Sequence, residues 1–180
     1  GIYPIQSTDA AYQYDRNPNS IFAQNIQYSL PSNPTLASSA SCLPMGAIGI
    51  SLTGAAIFNA LDGLGKDAVA HELQDTCGGH PERSGVYHYH GPSICMKDNA
   101  GKSAQHSDLV GYVLDGFGLY GLYDESGKLL TNADLDECHG HTHSINWDGQ
   151  QANMYHYHLT QEYPYSVGCF RGTAIRAQRQ

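Results

Sequence analysis

Short apolar runs separated by glycine-, asparagine- and aspartate-rich breaks run through most of the chain, a pattern of strands and turns rather than of long amphipathic helices. Residues 1–45 are polar and rich in Asn, Ser and Pro, with PSNP at 31–34 as the clearest turn cluster. Between them Ile21–Leu30 alternates as a strand would, and Gly46–Phe58 predicts one or two more. The segment Asp67–Asp75, DAVAHELQD, combines Ala68, Val69 and Leu73 at roughly helical spacing with an acidic start, and predicts the chain's best helix. Downstream, Leu109–Leu114 alternates into DGFGLYGLY, DESG makes a turn and KLL resumes, which predicts a hairpin. The expected fold is mainly β, an antiparallel β-rich single domain with one short helix. Residues 46–180 form its body and residues 1–45 a strand-and-loop segment packed on it.

Three stretches alternate more strictly than the rest. Tyr87-His88-Tyr89-His90 and Tyr155-His156-Tyr157-His158 repeat one tetrapeptide, and HGHTH covers His139, His141 and His143, so seven of ten histidines fall in three runs. In a strand, residues i and i+2 share a face, which puts two imidazoles on one side about 6–7 Å apart at Cα and the tyrosines on the other. After HGHTH come SINW, the hairpin signal Asp148-Gly149, and QQANMYHYH. If Trp147 pairs with Gln150 across that turn, opposed residue numbers sum to 297, so His141 faces His156 and His139 faces His158. His88 and His90 are the natural sixth and seventh members of the group.

Crowded imidazoles each need partners for both ring nitrogens, and several protonated at once repel. A cation resolves this, because neutral imidazole is the commonest ligand for zinc and copper. The candidate ligands are therefore His88, His90, His139, His141, His156 and His158, with His143 as a further one. The excess of His over Cys and carboxylate favours copper or zinc over iron and manganese, and copper leads because repeated His-x-His pairs resemble the arrangement in multicopper oxidases and tyrosines that could serve electron transfer flank the YHYH pairs. Zinc is the alternative: three His and a water make a hydrolytic site, with Asp115, Asp136 or Glu137 as base or orienting group. Asp115, at the end of an apolar strand, either lies beside the cation or starts the DGFG turn. His80, in CGGHP, joins the site or bonds within its turn, while His71 and His106 are expected at the surface. The flanking tyrosines are expected to fill the core side of the sheet.

Composition narrows the field of partners. A formal charge of −8 with only nine Lys and Arg, whose one thin grouping is Arg171, Arg176 and Arg179, argues against nucleic acid. The longest apolar region, AIGISLTGAAIF, is broken by Gly49, Ser51, Thr53 and Gly54, so no membrane span is expected. The chain begins at Gly1 without Met, and its five cysteines and low Lys content suit a secreted or periplasmic setting. Cys77 and Cys95 flank the first YHYH, and Cys138 and Cys169 the second; bridges between them would leave Cys42 odd. Other connectivities satisfy the count equally, and Cys138 beside His139 is a rival thiolate ligand. GFGLYG matches a dinucleotide fingerprint in letters only, since a turn and not a helix follows it. No G-x-S-x-G elbow and no EF-hand loop is present.

CGGHP at 77–81, YHYH followed by Cys95, LDGFGLYG at 114–121, LDECHGH at 135–141 and YHYHLTQEYPYSVGCF at 155–170 together resemble the YHYH-domain family. The resemblance covers most of residues 46–170 and implies an exported protein; it brings no settled reaction. The expectation is a secreted copper protein serving sequestration or delivery of the ion, or copper-dependent oxidation of a small-molecule or phenolic substrate. A zinc-dependent hydrolase is the alternative.

Overall fold

The computed structural model describes residues 2–96 and 105–175, so Arg176 and Arg179 of the basic grouping lie outside the described residues. Among the described residues there are ten strands, one short α-helix and two 3-10 turns, Ala10–Gln13 and Asn132–Asp134. The strands and the α-helix are β1 (Leu36–Ser41), β2 (Ala47–Ser51), β3 (Ala56–Phe58), α1 (Ala68–His71), β4 (Gly79–Pro81), β5 (Tyr87–Tyr89), β6 (Leu109–Val113), β7 (Gly118–Tyr120), β8 (Gly140–Trp147), β9 (Gln150–His158) and β10 (Phe170–Gly172). The fold is mainly β, as the sequence predicts. β1 and β10 form a small antiparallel pair, and the other eight strands one sheet in the order β4-β5-β3-β2-β6-β7-β9-β8. Among the described residues no helix is long and apolar enough to cross a membrane.

That order is a palindrome of two four-strand units. Adding 62 to each number turns the β2–β3 pairs Ala47↔Phe58, Gly49↔Ile57 and Ile50↔Ala56 into the β6–β7 pairs Leu109↔Tyr120, Gly111↔Leu119 and Tyr112↔Gly118, including the register shift. β5 runs parallel to β3 as β9 does to β7, with Ile57↔Tyr89 matching Leu119↔Tyr157. The outer hairpins also correspond, His80↔His88 in one and His141↔His156 in the other. The halves meet where β2 pairs with β6, Gly49↔Val113 and Ser51↔Gly111 lying symmetrically about Ile50↔Tyr112. A local two-fold axis therefore passes through the Ile50–Tyr112 pair, perpendicular to the sheet. Paired residues share a face, so the register carries His88 through Ala56, Ile50, Tyr112 and Gly118 to Tyr120 and His158 on one side.

The other side is the core. Tyr89 and Tyr157 are buried there among Ile57, Leu119, Val113, Phe117, Val167 and Phe170. The expectation that the tyrosines fill the core side holds. Asp115, also buried, accepts hydrogen bonds from the Tyr157 hydroxyl (2.6 Å) and the Gly172 amide (2.9 Å). It thus sits on the tyrosine side, away from the histidines, because it turns the β6–β7 hairpin and ties it to β10. Burial raises its pKa.

Two predicted elements differ. The helix stops at His71 and Glu72 is extended, because the Leu73 amide donates to the Asp15 carboxylate (2.9 Å) and so leaves the helical ladder. Ile21–Leu30 forms no strand; Ile21 and Phe22 are exposed, and the segment is held by such bonds as Phe22 N–H to the Gly85 carbonyl (3.0 Å). The disulfides are Cys77–Cys95 and Cys138–Cys169, with Cys42 free and exposed. Cys138 is therefore no thiolate ligand.

Candidate metal centres

Each outer hairpin is entered through the same turn, Asp-x-Cys-x-Gly-His. Asp75 accepts from the amides of Cys77 (2.9 Å) and Gly79 (3.2 Å) and from the Tyr87 hydroxyl (2.8 Å). Asp136 accepts in the same way from Cys138 (2.9 Å), Gly140 (3.1 Å) and Tyr155 (3.0 Å). The tyrosine ring folds over the glycine: a Cβ on Gly79 would lie 2.5 Å from the Tyr87 ring, and one on Gly140 would meet Tyr155 and, at 2.5 Å, the His156 carbonyl. This packing fixes the strand on which the next residue, His80 or His141, projects to the opposite face.

The first centre is His80, His88 and His90, all buried. Their Nδ1 atoms lie against the carbonyls of Leu73 (3.0 Å), Val86 (3.1 Å) and Asn59 (2.5 Å). A carbonyl only accepts, so each Nδ1 must carry the proton and each Nε2 presents a lone pair. Those lone pairs converge: His90 Nε2 is 3.2 Å from that of His80 and 3.1 Å from that of His88. The Glu72 carboxylate faces the same point, 3.4 Å from His80 and 3.6 Å from His90. Three lone pairs and a carboxylate around one spot are mutually repulsive until a cation occupies it. With metal–nitrogen bonds of about 2.0–2.1 Å, those separations subtend angles of about 100° at an ion. The ligands would thus cap one side of the ion. Phe58 stacks on His88, ring centroids 3.8 Å apart.

The second centre is His106, His141, His143, His156 and His158, whose ligand atoms all lie within 4.8 Å of one another. Again Nδ1 is committed to carbonyls: Ser107 for His106 (2.8 Å), Ser144 for His143 (3.0 Å), Met154 for His156 (3.1 Å) and Gly121 for His158 (2.7 Å). Nε2 of His106 meets that of His158 at 3.1 Å, and His143 meets His156 at 3.1 Å. The buried Nε2 of His141 has no hydrogen-bond partner among the described residues. A coordination sphere is about 4.1 Å across at these bond lengths, so the group spans little more than a single ion's shell.

Burial holds the imidazoles neutral, the form in which they bind metals. It lowers His90 and His141 to about 4 and His156 to about 2, and takes His88 and His158 well below 6.5. Burial likewise pushes the Glu72 carboxyl up to about 7, with Asp62 and Asp15 adding to it.

The sequence places seven histidines in one group, and the structure divides them. His88 and His90 belong to the first centre; His141, His143, His156 and His158 belong to the second. β5 and β9 are five strand spacings apart, about 24 Å at about 4.8 Å each. His139 joins neither. β8 begins at Gly140, and His139 takes a left-handed conformation (φ 77°), the counterpart of Gly78 (φ 73°). Its ring is spent internally, Nδ1 on the carbonyls of His158 (2.9 Å) and Ser166 (2.5 Å), Nε2 beside Asn132 (2.8 Å) and the Thr160 hydroxyl (3.2 Å). In its place stand His80, whose position the repeated Asp-x-Cys-x-Gly-His signals, and His106, expected at the surface, which no local pattern announces. His71 is half exposed and paired with Asp62 (2.8 Å).

A two-fold sheet with histidine groups able to hold metal ions, stapled by two disulfides, defines the class. Within it, the chain belongs to the YHYH protein family, whose sequence profile matches residues 27–130, more than half its length. No curated protein and no solved structure matches it.

Proposed function

We propose that this is a secreted copper-binding protein that sequesters or delivers the ion, holding it at two separate histidine centres. The observation that carries the reading is the convergence of Nε2 lone pairs whose Nδ1 partners are already committed to carbonyls. Among divalent first-row ions copper binds such nitrogen sets most tightly, and both cysteines next to the centres are bridged, which leaves imidazole, with Glu72 beside the first centre, as the chemistry on offer. Two disulfides suit an oxidising compartment. A shared multi-ion oxidase centre loses support from the separation of the groups. The zinc-hydrolase reading keeps one specific observation in its favour, the Glu72 carboxylate beside the first centre.

The test is metal content by mass spectrometry on protein purified from its own host without added metal, with EPR on the same sample. About two copper per chain is expected, falling to one in His88→Ala and in His156→Ala. Zinc in place of copper would overturn the copper assignment; no metal, and no uptake of copper on titration, would overturn the metal reading altogether.

A further inference from the structure

The two centres are built on one framework, yet they face their surroundings differently. A cavity of about 520 Å³ opens directly on the first, lined by Met45, Gly46, Glu82 and Arg83 together with His88 and His90. That volume falls in the range of small-molecule sites. In the second half, the counterparts of Glu82 in its wall and of Pro44 beside it are histidines of the second group. His106 stands three residues before β6, where Pro44 stands three before β2, immediately ahead of the cavity-lining Met45 and Gly46. His143 follows His141 by two residues, as the cavity-lining Glu82 follows His80. The two additional imidazoles thus occupy the positions that leave room at the first centre.

We propose that the first centre is a ligand-binding site, whose ion takes a small anion with an oxygen or nitrogen donor atom through this cavity, while the second centre retains its ion without taking such a ligand. This rests on the reading of both groups as metal centres. Three ligands capping one side leave coordination positions on the other, whereas five imidazoles leave at most one in a six-coordinate shell. Anions are the favoured class because three neutral imidazoles and the single Glu72 carboxylate leave one charge of a divalent ion uncancelled. The other carboxylates lining the cavity are engaged: Asp15 accepts from Asn17 and Leu73 amides (3.0 and 2.9 Å), Glu82 from Ser84 and Val86 amides (2.9 and 3.3 Å), and Asp62 from Leu64 and Lys66 amides (both 2.8 Å). Arg16 and Arg83 line the same cavity from exposed positions. Small carboxylates and other oxyanions share the chemistry that such a site recognises.

Azide is the direct probe, because its binding to Cu(II) gives a charge-transfer band. Protein loaded with two Cu(II) should bind one azide per chain saturably, and acetate should compete for it. The band should disappear in His88→Ala and persist in His156→Ala. Met45→Trp, which adds bulk at a wall residue that is not one of the proposed ligands, should keep two copper and weaken azide at least tenfold. Two bound copper with no azide band, or a band that follows His156 and ignores Met45→Trp, would sink this inference and leave the copper reading standing. Failure to bind copper at all would remove both.

Discussion

A histidine whose Nδ1 donates to a carbonyl can offer only Nε2, and whether that atom meets other lone pairs or polar partners separates a ligand from a structural residue. His141 and His139 sit two residues apart on opposite sides of that line. Replacing His139 by Ala should leave copper content unchanged and cost about 2–4 kcal/mol, the range for removing a buried, multiply bonded polar side chain; urea unfolding of the metal-free protein measures it. His141→Ala should do the converse, weakening copper at the second centre at least tenfold in a chelator competition. The alternation that made His139 look like a ligand is a statement about side-chain period, and a left-handed φ cancels it without leaving a mark in the letters. His106 escapes for a different reason, since a loop residue has no period at all and its partners lie far along the chain.

Among the elements, the β8–β9 hairpin was the most legible. Asp148 and Gly149 both have positive φ (52° and 79°), the turn that Asp-Gly predicts, and the pairs run from Trp147↔Gln150 to Gly140↔Tyr157. Register follows from turn chemistry and one buried face, both local properties. The helix ends early and the Ile21–Leu30 strand does not form because their outcomes depend on remote groups, Asp15 for the one and Gly85 for the other. Each disulfide ties the turn entering an outer hairpin to the segment following its YHYH, across 18 residues for Cys77–Cys95 and 31 for Cys138–Cys169. In the loop-entropy account each contributes about 3–4 kcal/mol. Replacing Cys138 and Cys169 by Ala should therefore lower stability by about that amount, and should loosen copper at the second centre while sparing the first, read by the azide band.

For the whole molecule the buried imidazoles set the response to acid. Burial depresses His90 and His141 from 6.5 to about 4, so between those values the unfolded chain binds protons that the folded one does not. Stability of the metal-free protein is then complete above about pH 6.5 and falls as the pH drops towards 4, on the order of 3 kcal/mol for the buried His90 alone. Thermal unfolding at stepped pH should show this decline. Bound copper, competing with protons for the same Nε2 atoms, should shift it to lower pH.

The axis through Ile50 and Tyr112 carries one more consequence. An isologous contact of this kind is what two copies of a single half would make with each other, strand against identical strand. In such a homodimer any substitution strikes both centres at once, and an additional ligand on one is an additional ligand on the other. Joined in one chain, the halves are free to differ: His106 and His143 complete one histidine group, while their counterparts Pro44 and Glu82 add no imidazole to the other, which opens on a cavity. The covalent link between the halves is what lets the two histidine groups differ within one two-fold framework.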